Sequence, residues 1–510
     1  VNAARAVVAA GHPVSARAGA DVLRAGGNAV DAALGAMLAA LTCEPLLTGL
    51  GAGGYMLVAG VGGSDVKPVL LDFFVEAPGR AGVDPQRPAA PLDPVQISFG
   101  DAVQTFHVGV ASAGTYGFPA GVQEAATRFG TVALDELTAP AAALARDGVV
   151  LGRQQAHIVA ILSAIVTSTP EAAALFAPHG RLIGAEDRLR QPELGDALER
   201  LGADGAAPFY TGDIAARVVA WLGDRGGLVS ADDLAAYSVI SREPLRVTYR
   251  GREVLTNPPP APGGLLLAHA LRALDAAPSP PPVTAIVDAM ALAQDARTPA
   301  FLAGLHEPGF AARFLGAGAE GAVDAPAGSR LGSTTHIAAL DASGGACSVT
   351  CSNGSASGVI VPGTGIHLNN MLGESDLNPE GFHRHPPGRR MPSMMSPTVL
   401  MRGGVAELAV GSAGSNRIRS AILQTIVRCV DEGLTAQAAV DAPRVHYESG
   451  IVDAEPGVDI AALAQAGHTV RAFRERNLFF GGVQAVERDP EGAITGGGDP
   501  RRGGAAVHVP

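Results

Sequence analysis

The sequence predicts a mixed α/β fold, and three observations carry that expectation. Ile337 to Asp341 reads as a buried strand, Ser343-Gly344-Gly345 as a tight turn, and Ala346 to Ser352 as a returning strand. From Gly121 to about Leu305 the apolar residues recur largely at helical spacing. Strand patterns at 398–402 and 405–411, joined through Gly403-Gly404, then run through Gly411-Ser412-Ala413-Gly414-Ser415 into a helix from about Asn416 to Asp431.

Taken in order, Val14 to Ala25 is expected to be a helix capped by Ser15 and stopped by Gly26-Gly27. Asn28 is placed to cap a second helix, Ala29 to Leu41. The glycine run Gly49 to Gly54 leads into a strand, Tyr55 to Ala59. It is not a nucleotide-binding loop, which would need a helix after it, and it reads as a place of close backbone approach. Val69 to Phe74 is a further strand, and residues 84–105 read as loop. Helical patterns follow at 120–129, 134–147, 155–166, 191–201, 210–222, 232–237, 265–274 and 283–301, with Asn257-Pro258-Pro259-Pro260 as an interruption. Residues 306–333 read as a linker rich in Gly, Ala and Pro.

The chain has 510 residues, 47% hydrophobic and only 4% aromatic, so its core is built from Ala, Val, Leu and Ile. With a net charge of −12 and Lys67 as its single lysine, it lacks the basic stripe that nucleic acid requires. Cys43, Cys347, Cys351 and Cys429 form no CxxC pair and read as buried thiols. No apolar run is long enough to span a membrane. The absence of a visible signal segment favours a cytoplasmic location, with export the alternative if the start is trimmed.

The chemistry centres on Gly332-Ser333-Thr334-Thr335-His336. Side chains alternate along a strand, so adjacent threonines place one hydroxyl on each face of the sheet. If the bond before Thr334 is cut, that residue gains an α-amine with an ordinary pKa of about 7.7–8, able to activate its own hydroxyl. Thr-Thr at a strand start is by itself ordinary β-sheet chemistry. The backbone N–H groups around Gly414 and Ser415 can receive an oxyanion, although a plain helix start would look the same.

The surrounding motifs decide between these readings. Gly26-Gly27-Asn28-Ala29-Val30-Asp31, Gly49 to Gly54, Asp232-Asp233-Leu234-Ala235-Ala236-Tyr237, Asn257-Pro258-Pro259-Pro260, Gly263-Gly264, Thr334-Thr335-His336, Leu368-Asn369-Asn370, Ser396-Pro397-Thr398, Gly411-Ser412 and Asp499-Pro500-Arg501 occur in this order. Together they resemble the γ-glutamyltransferase (γ-glutamyltranspeptidase) family of N-terminal nucleophile hydrolases over almost the whole chain. The resemblance implies an αββα sandwich, self-cleavage between Ser333 and Thr334, and two subunits, 1–333 and 334–510, sharing both sheets. It implies Thr334 as nucleophile in both maturation and turnover, Ser352 as partner of its amine, and Gly414 and Ser415 as the oxyanion hole. No cofactor or metal is implied. The expected partners are a small amide such as glutathione, water or an acceptor amine, and the chain's own cleavage product.

The implied glutamate pocket departs from the family pattern. Ser393 matches the first of two carboxylate-binding serines, but Met394 stands at the second and cannot donate a hydrogen bond. Arg80 falls a few residues before the expected arginine clamp, where Ala81-Gly82-Val83 stands. Glu374, with Asp376 nearby, replaces the aspartate that receives the substrate ammonium. Asn353 is one place early, with Gly354 at the matching position. Ser375 to Pro392 is short for the lid of many members and includes His383-Arg384-His385, a weak metal motif. Related readings are an amidase of changed substrate, like cephalosporin acylase or oxamate amidohydrolase, and an unprocessed scaffold.

Overall fold

The computed structural model describes residues 4–63, 66–82, 88–98, 103–317 and 333–510. Its centre is a pair of antiparallel sheets. The first has seven strands in the spatial order Ala505–Val509, Ala6–Ala10, Ser333–Leu340, Ala346–Gly354, Gly53–Ala59, Val69–Phe73 and Ile240–Arg242. The second has six, in the order Ile494–Gly498, Gly482–Arg488, Val405–Ala413, Thr398–Arg402, Arg252–Thr256 and Leu245–Tyr249. Each sheet takes strands from both sides of the Ser333–Thr334 bond.

Strand alternation sorts the apolar residues into two cores. Val7, Ala9, Leu57, Ala338 and Leu340 join Val254, Leu400, Ala409, Val483 and Ala485 in the core between the sheets. Their neighbours Val8, Ala10, Met56, Val58, Ile337 and Ala339 face the helices Pro13–Arg24 and Ala29–Cys43. Helices Pro262–Asp275 and Arg417–Val430 cover the second sheet, so two helical layers enclose two sheets as the αββα expectation requires.

Helix Ala29–Cys43 is apolar on every side and buried along its whole length. Asn28 caps it, accepting from the Val30 and Asp31 N–H groups, while the Asp31 carboxylate accepts from the Asn28 N–H in return. Asp31 also accepts from the Thr131 N–H and hydroxyl, which ties this helix to a segment 100 residues away in sequence. The preceding helix is capped by His12, not Ser15, because Pro13 starts it; Ser15 turns inward toward Cys43 and Glu44.

Other expectations are corrected by pairing that local patterns do not encode. Within residues 84–105 and just beyond lies a hairpin, Asp93–Ser98 with Val103–Val108. The largely helical region contains five strands, of which Ile240–Arg242, Leu245–Tyr249 and Arg252–Thr256 extend the two sheets. The linker includes a helix, Phe310–Ala317; its remainder to residue 332 lies outside the described residues, as does Val83. The glycine run does mark close approach. A Cβ on Gly51 would lie 2.4 Å from the His367 carbonyl oxygen, and one on Gly54 2.5 Å from that of Thr350. All four cysteines are free thiols, with Cys429 half-buried and the others buried. Among the described residues, no helix is long and apolar enough to cross a membrane.

Asp31 is fully buried and satisfies several donors at once. Asp31→Ala leaves those donors unpaired and should cost about 3 kcal/mol, read as a lowered urea midpoint with little change in slope.

Candidate active site

A change of register places Thr334. Ser333 pairs with Gly354 but Thr334 pairs with Ser352, so Asn353 is an extra residue in the neighbouring strand. Across this bulge the Thr334 hydroxyl donates to Ser352 Oγ at 3.2 Å. Ser352 Oγ donates in turn to the Ser333 carbonyl oxygen at 2.7 Å and accepts from the Gly354 N–H at 3.0 Å. A hydrogen-bonded chain thus runs from the Thr334 hydroxyl to the carbonyl of the peptide bond that precedes it.

The alternating hydroxyls separate as a strand requires. Thr335 turns into the helical layer and donates to Glu44 Oε2 at 2.8 Å, whereas Thr334 faces the other sheet. His336 shares that inner face, with Nδ1 2.8 Å from Thr350 Oγ1. Burial pushes its pKa down to about 3, so it is a neutral packing residue.

From the second sheet, strand Val405–Ala413 ends at Gly414, with φ of 121°, and Ser415, with φ of 53°, before helix Arg417–Val430 begins. This turn leaves the Gly414 and Ser415 N–H groups without an acceptor among the described residues. Positive φ at a serine is a strained arrangement, of a kind common where backbone groups are aimed at a ligand.

Thr334, Ser352, Gly354, Ser393, Met394 and Ser415 line a narrow pocket of about 50 Å³, together with Glu374 and Asp376. Phe74, Met371, Leu377, Met395 and Ile418 make the rest of its wall apolar. Glu374 accepts from the Ser355 N–H at 3.1 Å. Burial, and then the charge of Asp376, push its pKa up to about 8, so the carboxyl is largely protonated at neutral pH. Asp376 accepts from Ser415 Oγ at 3.3 Å, linking the acidic wall to the turn. Ser393 Oγ accepts from the Met395 N–H at 3.1 Å, which orients the hydroxyl and leaves its proton to donate.

Two of the expected substrate contacts lie elsewhere. Arg80 donates to Glu76 Oε2 at 2.9 Å, its backbone N–H donates to Asp233, and it is not part of the pocket wall. Asn353, displaced by the bulge, points away and donates to the His367 carbonyl at 3.1 Å. Gly354 takes its place in the wall. His383 and His385 each direct Nε2 at a carbonyl oxygen, of Ala111 and Leu377 respectively. Phe74 and Met371 went unnoticed in the sequence, because an apolar residue that will line a pocket has the same local signature as one that fills a core.

Two antiparallel sheets between helical layers, with a threonine hydroxyl on a central strand facing an open N–H turn, define the class of N-terminal nucleophile hydrolases. The model of the gamma-glutamyltranspeptidase family matches residues 15–509, and the chain belongs to that family. It is 30% identical to the acylase ACY 1 proenzyme of Pseudomonas sp. (strain V22), over 99% of this chain and 94% of that protein. It is 29% identical to the glutathione hydrolase proenzyme of Bacillus subtilis (strain 168), over 99% of this chain and 91% of that protein. Among solved structures, cephalosporin acylase from Bacillus halodurans superposes with a TM-score of 0.82 at 27% identity, covering 99% of this chain and 96% of that one. The chain is therefore an enzyme of the gamma-glutamyltranspeptidase class of N-terminal nucleophile hydrolases.

A Cβ on Gly414 would lie 2.9 Å from Gly481 Cα, at a φ that L-residues rarely adopt. Gly414→Ala should cost about 2 kcal/mol and Ser415→Ala well under 1 kcal/mol, compared by denaturant unfolding.

Proposed function

We propose that this protein matures by cutting its own Ser333–Thr334 bond and then uses Thr334 as the nucleophile of an amidohydrolase or acyltransferase. The observation that carries this reading is the chain from the Thr334 hydroxyl through Ser352 to the Ser333 carbonyl oxygen. In maturation Thr334 Oγ1 attacks the Ser333 carbonyl carbon, while the Ser352 hydroxyl polarises that carbonyl. The C–N bond breaks in favour of an ester, which water hydrolyses to leave Ser333 with a carboxylate and Thr334 with a free amine.

In turnover that amine takes the hydroxyl proton as Thr334 attacks the substrate amide. The leaving amine departs protonated, and the acyl group passes to water or to a second amine. The Gly414 and Ser415 N–H groups stabilise the oxyanion, a contribution of roughly 3–4 kcal/mol per donor in comparable enzymes. The subunits are residues 1–333 and 334–510, and their shared sheets hold them together after the cut.

For the acyl group, the reading closest to the family is γ-glutamyl. Glu374 and Asp376 supply carboxyl groups for its ammonium and Ser393 a donor for its carboxylate. A second reading, an acylase of different specificity, is favoured by Met394 in the wall and by the engagement of Arg80 with Glu76. Both use the same Thr334 chemistry. They part on a γ-glutamyl anilide: weak chromophore release beside efficient hydrolysis of other acyl anilides supports the second.

Intact mass and N-terminal sequencing should give two chains, the smaller beginning at Thr334. Thr334→Ala should remain one chain of 51.3 kDa, and Ser352→Ala should mature at least about tenfold more slowly. A single uncut wild-type chain would sink the maturation reading.

Glu374 has its pKa raised, so it is neutral below about pH 8 and anionic above it. For a substrate bearing an ammonium on its acyl group, KM should fall as pH rises from 6 through about 8. Glu374→Gln should flatten that profile, and a pH-independent KM in the wild type would contradict the assignment.

A further inference from the structure

Asp376 lines both the narrow pocket and a second cavity of about 530 Å³, roughly ten times larger. Its walls come from residues 297–306 and from the shortened segment 375–392. Two guanidinium groups stand in those walls. Arg297 is 8% exposed, its Nε has no hydrogen-bond partner, and Nη1 makes only a 3.4 Å contact with Asn416 Oδ1. Arg389 forms no side-chain hydrogen bond or ion pair among the described residues. Its neighbour Arg390, by contrast, is held by Asp72, Glu76 and Tyr237.

A buried guanidinium with unfilled donors is costly unless an acceptor arrives. The acids of this cavity do not supply one. Asp376 accepts from Ser415, and Glu380 sits at the exposed rim. His306, His385, Ser375 and Asn378 complete the polar lining. Burial, then the charge of Arg389, pushes the His306 pKa down to about 4, so it is a neutral group rather than a further cation.

We propose that this cavity is a carboxylate subsite: Arg297 and Arg389 hold a carboxylate on the substrate, remote from the amide that Thr334 attacks. This rests on the amidohydrolase reading above. It assigns to these two residues a recognition that Arg80, engaged with Glu76, does not perform. The carboxylate can belong to the far end of a dicarboxylic acyl group or to the leaving amine, and both place the same anion before the same two forks.

Three anilides separate the sources. Butyryl-4-nitroanilide has no carboxylate, glutaryl-4-nitroanilide carries it on the acyl side, and butyryl-3-carboxy-4-nitroanilide carries it on the amine side. With purified wild-type protein, one carboxylated substrate should exceed the butyryl anilide about tenfold or more in kcat/KM. That preference should collapse toward unity in both Arg297→Ala and Arg389→Ala, with partial recovery in Arg297→Lys. No preference for either carboxylated substrate, or a preference that survives both alanine variants, overturns the proposal.

Calorimetric titration with glutarate and with 5-amino-2-nitrobenzoate gives a readout independent of turnover. Binding of either one, weakened about tenfold by both variants, supports the subsite even if no anilide is cleaved, and in that case only the amidohydrolase reading fails. Absence of binding by both, or binding unchanged in the variants, overturns the subsite. Circular dichroism and Arg389→Gln guard against a folding defect.

Discussion

The single bond on which the site depends is the hydrogen bond from Ser352 to the Ser333 carbonyl oxygen. It exists because the two central strands of the first sheet slip by one residue at their ends. With regular pairing, Asn353 would lie opposite Thr334 and the serine hydroxyl would reach a different peptide. The bulge turns Asn353 out toward His367 and brings Ser352 between the Thr334 hydroxyl and the preceding carbonyl. Everything around it keeps this geometry stiff. Pairing extends outward on both sides of the hairpin, to Ala6–Ala10 and to Gly53–Ala59, and the glycines at 51 and 54 allow neighbouring backbones to close in.

Charge is arranged by the same logic of burial. The chain uses arginine almost exclusively as its cation, and most of its buried guanidinium groups near the first sheet are committed to fixed carboxylates. Arg390 with Asp72 and Glu76, and Arg80 with Glu76 and Asp233, form one connected group. Pulling Arg80 into the pocket would abandon Glu76, which is itself buried. The clamp expected near position 80 is therefore spent on structure. Open guanidinium donors occur at several buried arginines among the described residues, including Arg80 Nη1, all three nitrogens of Arg417, and Arg297 Nε in the cavity that Asp376 lines.

Much of the fold was legible because its signals are local. The capping box of Asn28 and Asp31, the Gly344-Gly345 turn and the apolar stripe of the helix after Ser415 each lie within a few residues. The hairpin from 93 to 108 and the strands from 240 to 256 carry no comparable local signal, because a short strand is defined by its pairing partner. Ser is a good helix cap, but packing against Cys43 and Glu44 turns Ser15 inward and leaves the cap to His12. In the site, Thr334, Ser352, Gly414, Ser415, Ser393 and Glu374 were all singled out by motif. The structure brings them together from both sheets and from the loops between them.

The sequence by itself determined the alternation that puts Thr334 and Thr335 on opposite faces, since a strand has only two. It also marked, in Gly411-Ser412-Ala413-Gly414-Ser415, the place where a strand gives way to a helix, because glycine and serine favour such a turn. Tertiary structure alone decided which arginines are free. A guanidinium's availability depends on the carboxylates folded around it, and Asp72, Asp233 and Glu76 meet Arg80 and Arg390 only when distant segments pack. It decided the register at Asn353 for the same reason: a one-residue slip between strands is a property of the pair, and neither strand encodes it alone.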